Sequence, residues 1–410
     1  MKTDIDNLMI EKELDAILVI GPAQHNPPMY YLTGGGHITK AILIKKPGIP
    51  AILYHQPMER DEATRTGLPT KNLTDFSYDK LLKAAGGDVL EATVNLYKQI
   101  LLEAHVSSGR LAIYGQIDAG ASYAIFNSIN KAFPELTIIG ELDDSLLLTA
   151  MATKDQFEVD RIREMGMITT EVVGQVADYL TSQKVKNEVL IKTNGEPLTI
   201  GDVKKLINLW LAERGAANPE GTIFAIGRDA GVPHSSGTTS DLIRLGKTII
   251  FDIFPCEVGG GYYYDFTRTW SLGYATDEVL AIYEDVSSVY QQIMSELAIN
   301  TPCKPYQART CDLFESKGHP TNRIDPKSEN GYVHSLGHGL GLHVHEKPWF
   351  GNNASDDDRL EPGVVVTIEP GLYYPDRGMG VRLEDTVWAR PDGKMEILAE
   401  YPHDLLLPMQ

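Results

Sequence analysis

Cysteine is scarce in this sequence of 410 residues: there are three, Cys256, Cys303 and Cys311. A sparse, odd set with no close pairing pattern excludes a disulfide framework and fits a reducing cytoplasm. Positive charge is also short. Lys and Arg total 37 against 56 Asp and Glu, for a net charge of −19. The basic face that a nucleic-acid binder needs to track phosphates is therefore missing. No apolar run approaches the roughly 20 residues that a membrane helix requires. The N-terminus, MKTDIDNLMIEKELDAILVI, lacks a basic head followed by an apolar stretch, so no secretory leader is expected. Internal repeats and low-complexity tracts are absent as well. The expectation is a soluble, cytoplasmic protein with no nucleic-acid or membrane partner.

What is present is globular: 42% apolar and 23% charged residues, over a length that fits two domains. In the first third, Ala16–Ile20, Ala41–Ile44, Ala51–Tyr54 and Leu111–Tyr114 read as strands, the middle two paired across Pro47-Gly48. A helix or helix pair is expected between Asp79 and Ala104. His25, His37 and His55 are scattered and read as surface or loop residues. Near Thr149–Lys154 the pattern changes, and a long helix follows with Ile162, Met165, Ile168, Val172, Val176 and Leu180 on one stripe. The domain boundary is placed there, giving residues 1–152 and 153–410. A second helix starts near Thr199, which with Asp202 three residues on resembles a capping box with Asp in place of the usual Glu, and carries Val203, Leu206, Ile207 and Trp210. A third carries Ile282, Val286, Val289, Ile293 and Leu297, with Asp277 and Glu278 at its positive end. The remainder of this half reads as strand-rich.

Two pairs of acids stand out. Thr248–Phe254 is a strand by composition with Asp252 in its middle, an expensive residue to bury unpaired. Gly261–Trp270 is a second, with Asp265 central. A hairpin symmetric about Val258 and Gly259 sets the two acids directly opposite, with Cβ atoms about 4.5–5.5 Å apart. Val364–Glu369 and Gly380–Val387 repeat the pattern around the turn signature Pro375-Asp376-Arg377-Gly378. A hairpin centred between Asp376 and Arg377 sets Glu369 opposite Glu384. Two facing pairs of like charge in apolar strands demand a compensating cation, and divalent metal ions supply it. The bland alternative sends one acid of each pair to solvent; two hairpins of one kind, with the histidines below, weigh against it.

His334, His338, His343 and His345 crowd into twelve residues. His334 and His338 have i, i+4 spacing, but Gly337, Gly339 and Gly341 argue against a helix. The glycines around His338 suggest close backbone approach to a metal or substrate. In an extended continuation His343 and His345 share one face. His338 and His345 are read as functional and His343 as a loop residue. His234 lies in the turn-rich loop Gly231–Gly237.

The order Asp252, Asp265, His338, Glu369, Glu384 resembles the five-ligand dinuclear site of the pita-bread metallopeptidases, which include methionine aminopeptidase, aminopeptidase P, prolidase and creatinase. The motifs FDIFP, YDFTRT, GHGLGLHVHE, TIEPGLY and GVRLED stand in order. Residues 1 to about 150, including Tyr30-Tyr31-Leu32-Thr33-Gly34, resemble the creatinase-type N-terminal domain, which points to the Xaa-Pro branch. The resemblance implies an α/β N-terminal domain and an α+β pita-bread catalytic domain. It implies two divalent ions per chain, for which this mostly hard ligand set suits Mn²⁺ or Co²⁺, with Zn²⁺ or Fe²⁺ compatible. Asp252 and Asp265 would hold one ion, His338 and Glu369 the other, and Asp265 and Glu384 would bridge. Substrates would be short proline-containing peptides, and the chain a homodimer.

Further roles follow from the same resemblance. Glu369 would take up a proton, His345 would stabilise an oxyanion, and His234 would contact substrate on the proline side. Arg382, two residues from Glu384, holds either a ligating or a substrate carboxylate, or is a structural ion pair. Tyr373 is a candidate supporting residue and Cys256 a packed thiol. Aminopeptidase and dipeptidase are not separated. Rival readings are a non-peptidase hydrolase or lyase on the same metal site, and a metal-free peptide-binding module.

Overall fold

A computed structural model describes residues 4–142 and 145–409; the first three residues of the N-terminal stretch read above, and Gln410, lie outside the described residues. The chain divides into two compact units, Met1–Met151 with Gly259–Gly261, and Ala152–Val258 with Tyr262–Gln410.

The first unit is built on a six-stranded sheet. Its strands are β1 (Ala16–Gly21), β2 (Ala41–Lys46), β3 (Ile49–His55), β4 (Thr70–Asn72), β5 (Gly109–Gly115) and β6 (Leu136–Ile139), in the order β4-β3-β2-β1-β5-β6. The continuous apolar runs of β1 and β2 are buried, as strands covered on both faces must be. The expected β2–β3 hairpin is present, pairing Ala41 with His55 and Leu43 with Leu53. The expected helix pair is Tyr78–Ala84 and Val89–Glu103, the latter capped by the Asp88 side chain on the Glu91 amide. His55 corrects its reading: it is buried, with its ring bonded to the Gln56 carbonyl.

The second unit combines antiparallel strands with four long helices. Gln156–Thr181 buries Ile162, Met165, Val172, Val176 and Leu180, and starts at a capping box formed by Asp155 and Glu158. Ile200–Glu213 starts at the expected Thr199–Asp202 box. Asp277–Glu296 starts at Thr276 and buries Ile282, Val286, Val289 and Ile293. The fourth helix, Lys304–Ser316, was not expected. Its buried face is Tyr306, Gln307, Thr310, Cys311 and Phe314, so helical spacing is there but half of it is carried by residues that apolar periodicity does not count.

Among the described residues five sheets carry the rest, and three of them shape the site. One runs Thr222–Ile226, Thr248–Ile253, Phe266–Leu272, Leu406–Leu407; another runs Glu346–Trp349, His338–Gly339, Val365–Ile368, Asp385–Ala389, Met395–Ile397. A two-stranded ribbon joins Gly371–Tyr374 to Met379–Arg382. A bridge from Thr267 to Glu384 ties the first sheet to the chain entering the second. The first unit is thus α/β and the second α+β.

Candidate active site

The two acid pairs reach the site by different routes. Asp252 pairs with Ile223 on one side and with Thr267 on the other. It does not oppose Asp265, which precedes its strand. The loop between holds residues of its own, including a short strand at Cys256–Glu257 paired with Ala216–Ala217, and this slips the register by two. A slip of two keeps the face, because side chains alternate with period two. The other pairing stands as expected. Ile368 opposes Asp385 and Gly371 opposes Arg382, one continuous register that sets Glu369 level with Glu384. There the two strands part. The Glu369 amide donates to Leu336 and the Glu384 amide to Thr267, at 2.8 and 3.1 Å, leaving the carboxylates between three segments of chain.

His338 sits on a two-residue strand. A Cβ on Gly337 would collide with the Thr367 carbonyl, and one on Gly339 with the Lys347 carbonyl. Those glycines are required by neighbouring backbone rather than by a metal or substrate. The stretch after His338 is not extended: residues 341–345 form successive bends, so His343 and His345 do not share a strand face. A fully buried ion pair between Lys154 and Glu346 secures the far end of these bends, and the Glu346 carboxylate accepts from the His343 amide.

Asp252, Asp265, His338, Glu369 and Glu384 all line one cavity of about 790 Å³, together with His234, His345 and Arg382. His343 is half-buried beside it. One ligand atom each from Asp265, His338 and Glu384 lies within 4.8 Å of the others. His338 Nε2 is 3.7 Å from Asp265 Oδ2 and 3.5 Å from Glu369 Oε1. Its Nδ1 faces the Gly339 carbonyl at 3.1 Å, so Nδ1 carries the proton and the Nε2 lone pair points at carboxylate oxygens. His345 is exposed at the mouth, its ring centroid 4.3 Å from that of His338. His234 is also exposed.

Arg382 resolves its reading toward a protein carboxylate. The buried guanidinium donates to Asp252 Oδ2 at 2.5 Å and to the Tyr373 hydroxyl at 2.7 Å, with longer bonds to Thr267 Oγ1 and the Pro233 carbonyl. The sequence reading missed His334 as a member of this network: its Nε2 meets the Tyr373 hydroxyl at 2.8 Å. It also missed Thr267, whose hydroxyl donates to Glu384 Oε2 at 2.6 Å. The Thr-Arg-Thr run after Asp265 carried that signal, since alternation puts Thr267 on the Asp265 face. Lys204 and Glu220, which line the same cavity, had no local signal.

The electrostatics are those of a cation site. Burial first, then the neighbouring carboxylates, raise Asp265 and Glu369 far above the usual carboxylate range. The same causes push Glu384 up to about 8. Burial lowers His334 and His338 to about 3, so both are neutral imidazoles. Asp252 Oδ1 is buried without a hydrogen-bond partner among the described residues. Four carboxylates therefore face one guanidinium and a lone-pair nitrogen, a donor set that fits divalent cations and little else.

Comparison with known proteins gives the same picture. The model for "Metallopeptidase family M24" matches residues 160–391. The Xaa-Pro dipeptidase of Pyrococcus horikoshii is 25% identical over 96% of this chain and 95% of its own. In structure, the chain resembles a dipeptidase from Pyrococcus horikoshii, with TM-score 0.73 and 23% identity over 98% of both chains. It also resembles an X-Pro aminopeptidase from Thermotoga maritima, with TM-score 0.73 and 21% identity over 96% of this chain and 97% of the other. The second unit has their pita-bread fold, and the chain belongs to metallopeptidase family M24.

Proposed function

We propose that this chain is a peptidase that hydrolyses Xaa-Pro bonds in short peptides, working with two divalent cations of the Mn²⁺ or Co²⁺ type. The observation that carries the reading is the set of four carboxylates and the Nε2 lone pair of His338 around one cavity. The similarity to Xaa-Pro dipeptidases supplies the substrate class. Asp252, Asp265, His338, Glu369 and Glu384 would hold the two cations. Bound there, divalent cations make a hydroxide available near neutral pH and polarise the scissile carbonyl.

The chain's own groups do the rest. Arg382 fixes the Asp252 carboxylate, and Tyr373 and His334 hold Arg382 in turn. Partial desolvation against the cavity wall lowers the His345 pKa although the ring is open to solvent on one side, so its ring is a neutral N–H donor for the oxygen of the attacked carbonyl. Glu369 takes up the proton and returns it to the leaving amine. His234 contacts the proline side. Residues 1–152 form the N-terminal domain and residues 153–410 the catalytic one; the division by contacts near Met151 supports that boundary. We also propose a cytoplasmic homodimer.

The test pairs metal content with a peptide panel. After Mn²⁺ loading and desalting, elemental analysis should give close to two equivalents per chain, and Xaa-Pro peptides should be cleaved while non-proline controls are not. Less than one equivalent, or no preference for proline, would refute the proposal.

A further inference from the structure

The first unit has a cavity of its own, of about 850 Å³, which shares no lining residue with the carboxylate cavity. Its place follows from the sheet. β1 and β5 are parallel neighbours, yet β1 is followed by β2 on one flank and β5 by β6 on the other. Where strand order reverses in this way, the connections diverge and a crevice opens outside the carboxyl ends of the strands. The lining starts there, with residues 20–22 at the end of β1 and residues 116–117 just after β5.

The floor of this cavity is apolar and its rim is charged. Ile20 and Ile42 are cross-strand partners on the face covered by the helices Val89–Glu103 and Ala119–Ala132, which add Leu96, Tyr97 and Ile125 to the floor. Tyr97 is 5% exposed, and its hydroxyl makes no hydrogen bond among the described residues. Burial raises its pKa, so the hydroxyl keeps its proton and stands as a donor without an acceptor. Lys40, Asp79 and Lys80 are exposed at the rim, and none of the three forms an ion pair among the described residues. The rim therefore carries a net positive charge on a chain whose net charge is −19. An apolar floor with a free donor, under a cationic rim, complements an amphipathic anion.

We propose that this cavity is a binding site for a small organic acid, with an apolar body over Ile20, Ile42 and Ile125 and a carboxylate held by the Tyr97 hydroxyl and the ammonium groups of Lys40 and Lys80. This goes beyond the Xaa-Pro reading and does not depend on it, since no residue of the metal site takes part. A carboxylate supplies the acceptors that Tyr97 and the two lysines lack. An apolar body displaces water from the isoleucines, which offer that water no hydrogen bond. A cavity of this size encloses a drug-sized ligand, so a chain of about ten carbons fits within it. A neutral analogue keeps the apolar contact but leaves the ammonium groups unanswered, and a cationic one meets like charge.

The experiment titrates three probes that share one alkyl chain, decanoate, decan-1-ol and decylammonium, into the Mn²⁺-loaded protein by isothermal calorimetry. Decanoate should bind saturably at one site per chain, about 10–30-fold tighter than decan-1-ol, with decylammonium weakest. The net charge of the chain favours the cation, so this order reports the local rim. Replacing both lysines, Lys40→Gln with Lys80→Gln, should bring decanoate to within about threefold of decan-1-ol, and Tyr97→Phe should weaken decanoate by about 3–10-fold. Both lysines are exposed, so the double variant should keep the circular dichroism and unfolding midpoint of wild type; if Tyr97→Phe does not fold, the lysine variant and the order of the head groups decide. No saturable decanoate binding, an order that follows the net charge, or decanoate affinity unchanged in the double variant or in folded Tyr97→Phe would each overturn the inference. None of these outcomes touches the Xaa-Pro reading, which metal content and the peptide panel decide.

Discussion

Glu384 and Asp385 are chain neighbours, both buried to within 2% of full burial, and they titrate in opposite directions. Strand alternation sends their side chains to opposite faces. Asp385 meets Arg268 Nη2 at 2.8 Å, the Tyr290 hydroxyl at 2.5 Å and His403 Nε2 at 3.0 Å. Burial alone would raise its pKa, but these partners outweigh burial and hold it below the usual carboxylate range. Glu384 has the Thr267 hydroxyl, but its other near neighbours include the acid cluster, and burial with the Asp252 charge drives it up to about 8. Burial does not separate a structural acid from a ligand acid. The difference is whether protein cations and donors answer the charge or leave it for an ion from outside.

The comparison can be broken from either side. The largest effect is expected on the Glu384 side: Glu384→Gln should lower kcat/KM by about 10³–10⁴ and reduce bound metal, read by kinetics and elemental analysis. Wild-type turnover in that variant would remove Glu384 from the ligand set. On the Asp385 side the loss is of stability. Arg268→Met leaves a buried acid unanswered and should cost about 3–5 kcal/mol in urea unfolding. A cost under about 1 kcal/mol would show that Tyr290 and His403 suffice.

The smallest effect is a pH slope. The folded pKa of Glu384 is raised from 4.5 to about 8. Metal-free protein therefore has this group's full stability below its unfolded pKa, and loses it as pH rises toward 8. Between pH 5 and 8 the metal-free protein should lose about 3–4 kcal/mol, a loss that Glu384→Gln flattens and bound metal abolishes. Asp385, with its lowered pKa, gives the opposite arm: its contribution is present above about 3.8 and lost as pH falls below. Unfolding midpoints with and without chelator from about pH 2 to 8 check both arms; a flat metal-free profile between pH 5 and 8 would contradict the acid cluster.

Much of this arrangement is legible in the sequence, and for local reasons. The Thr199–Asp202 box, the stripes of the helices Gln156–Thr181 and Asp277–Glu296, and the Glu369–Glu384 register all depend on residues near one another in sequence or on a turn with clear chemistry. The Asp252–Asp265 register failed because the loop between them folds partly against Ala216–Ala217, a partner some forty residues away in sequence. The helix Lys304–Ser316 escaped because its buried face uses Gln307, Thr310 and Cys311. The glycines around His338 were seen, but their cause lay in the chain beside them.

By itself, then, the sequence determined the residue types: four acids and a histidine set in apolar strands, whose burial is tolerable only with cations. Tertiary structure alone decided which charges remain unanswered. Arg268 reaches Asp385, Arg382 reaches Asp252, and Lys204 pairs with no acid among the described residues, because those pairings join residues more than a hundred positions apart or leave one unmatched. Electrostatic compensation depends on distance in space, and chain order does not encode that distance for groups brought together by sheet packing.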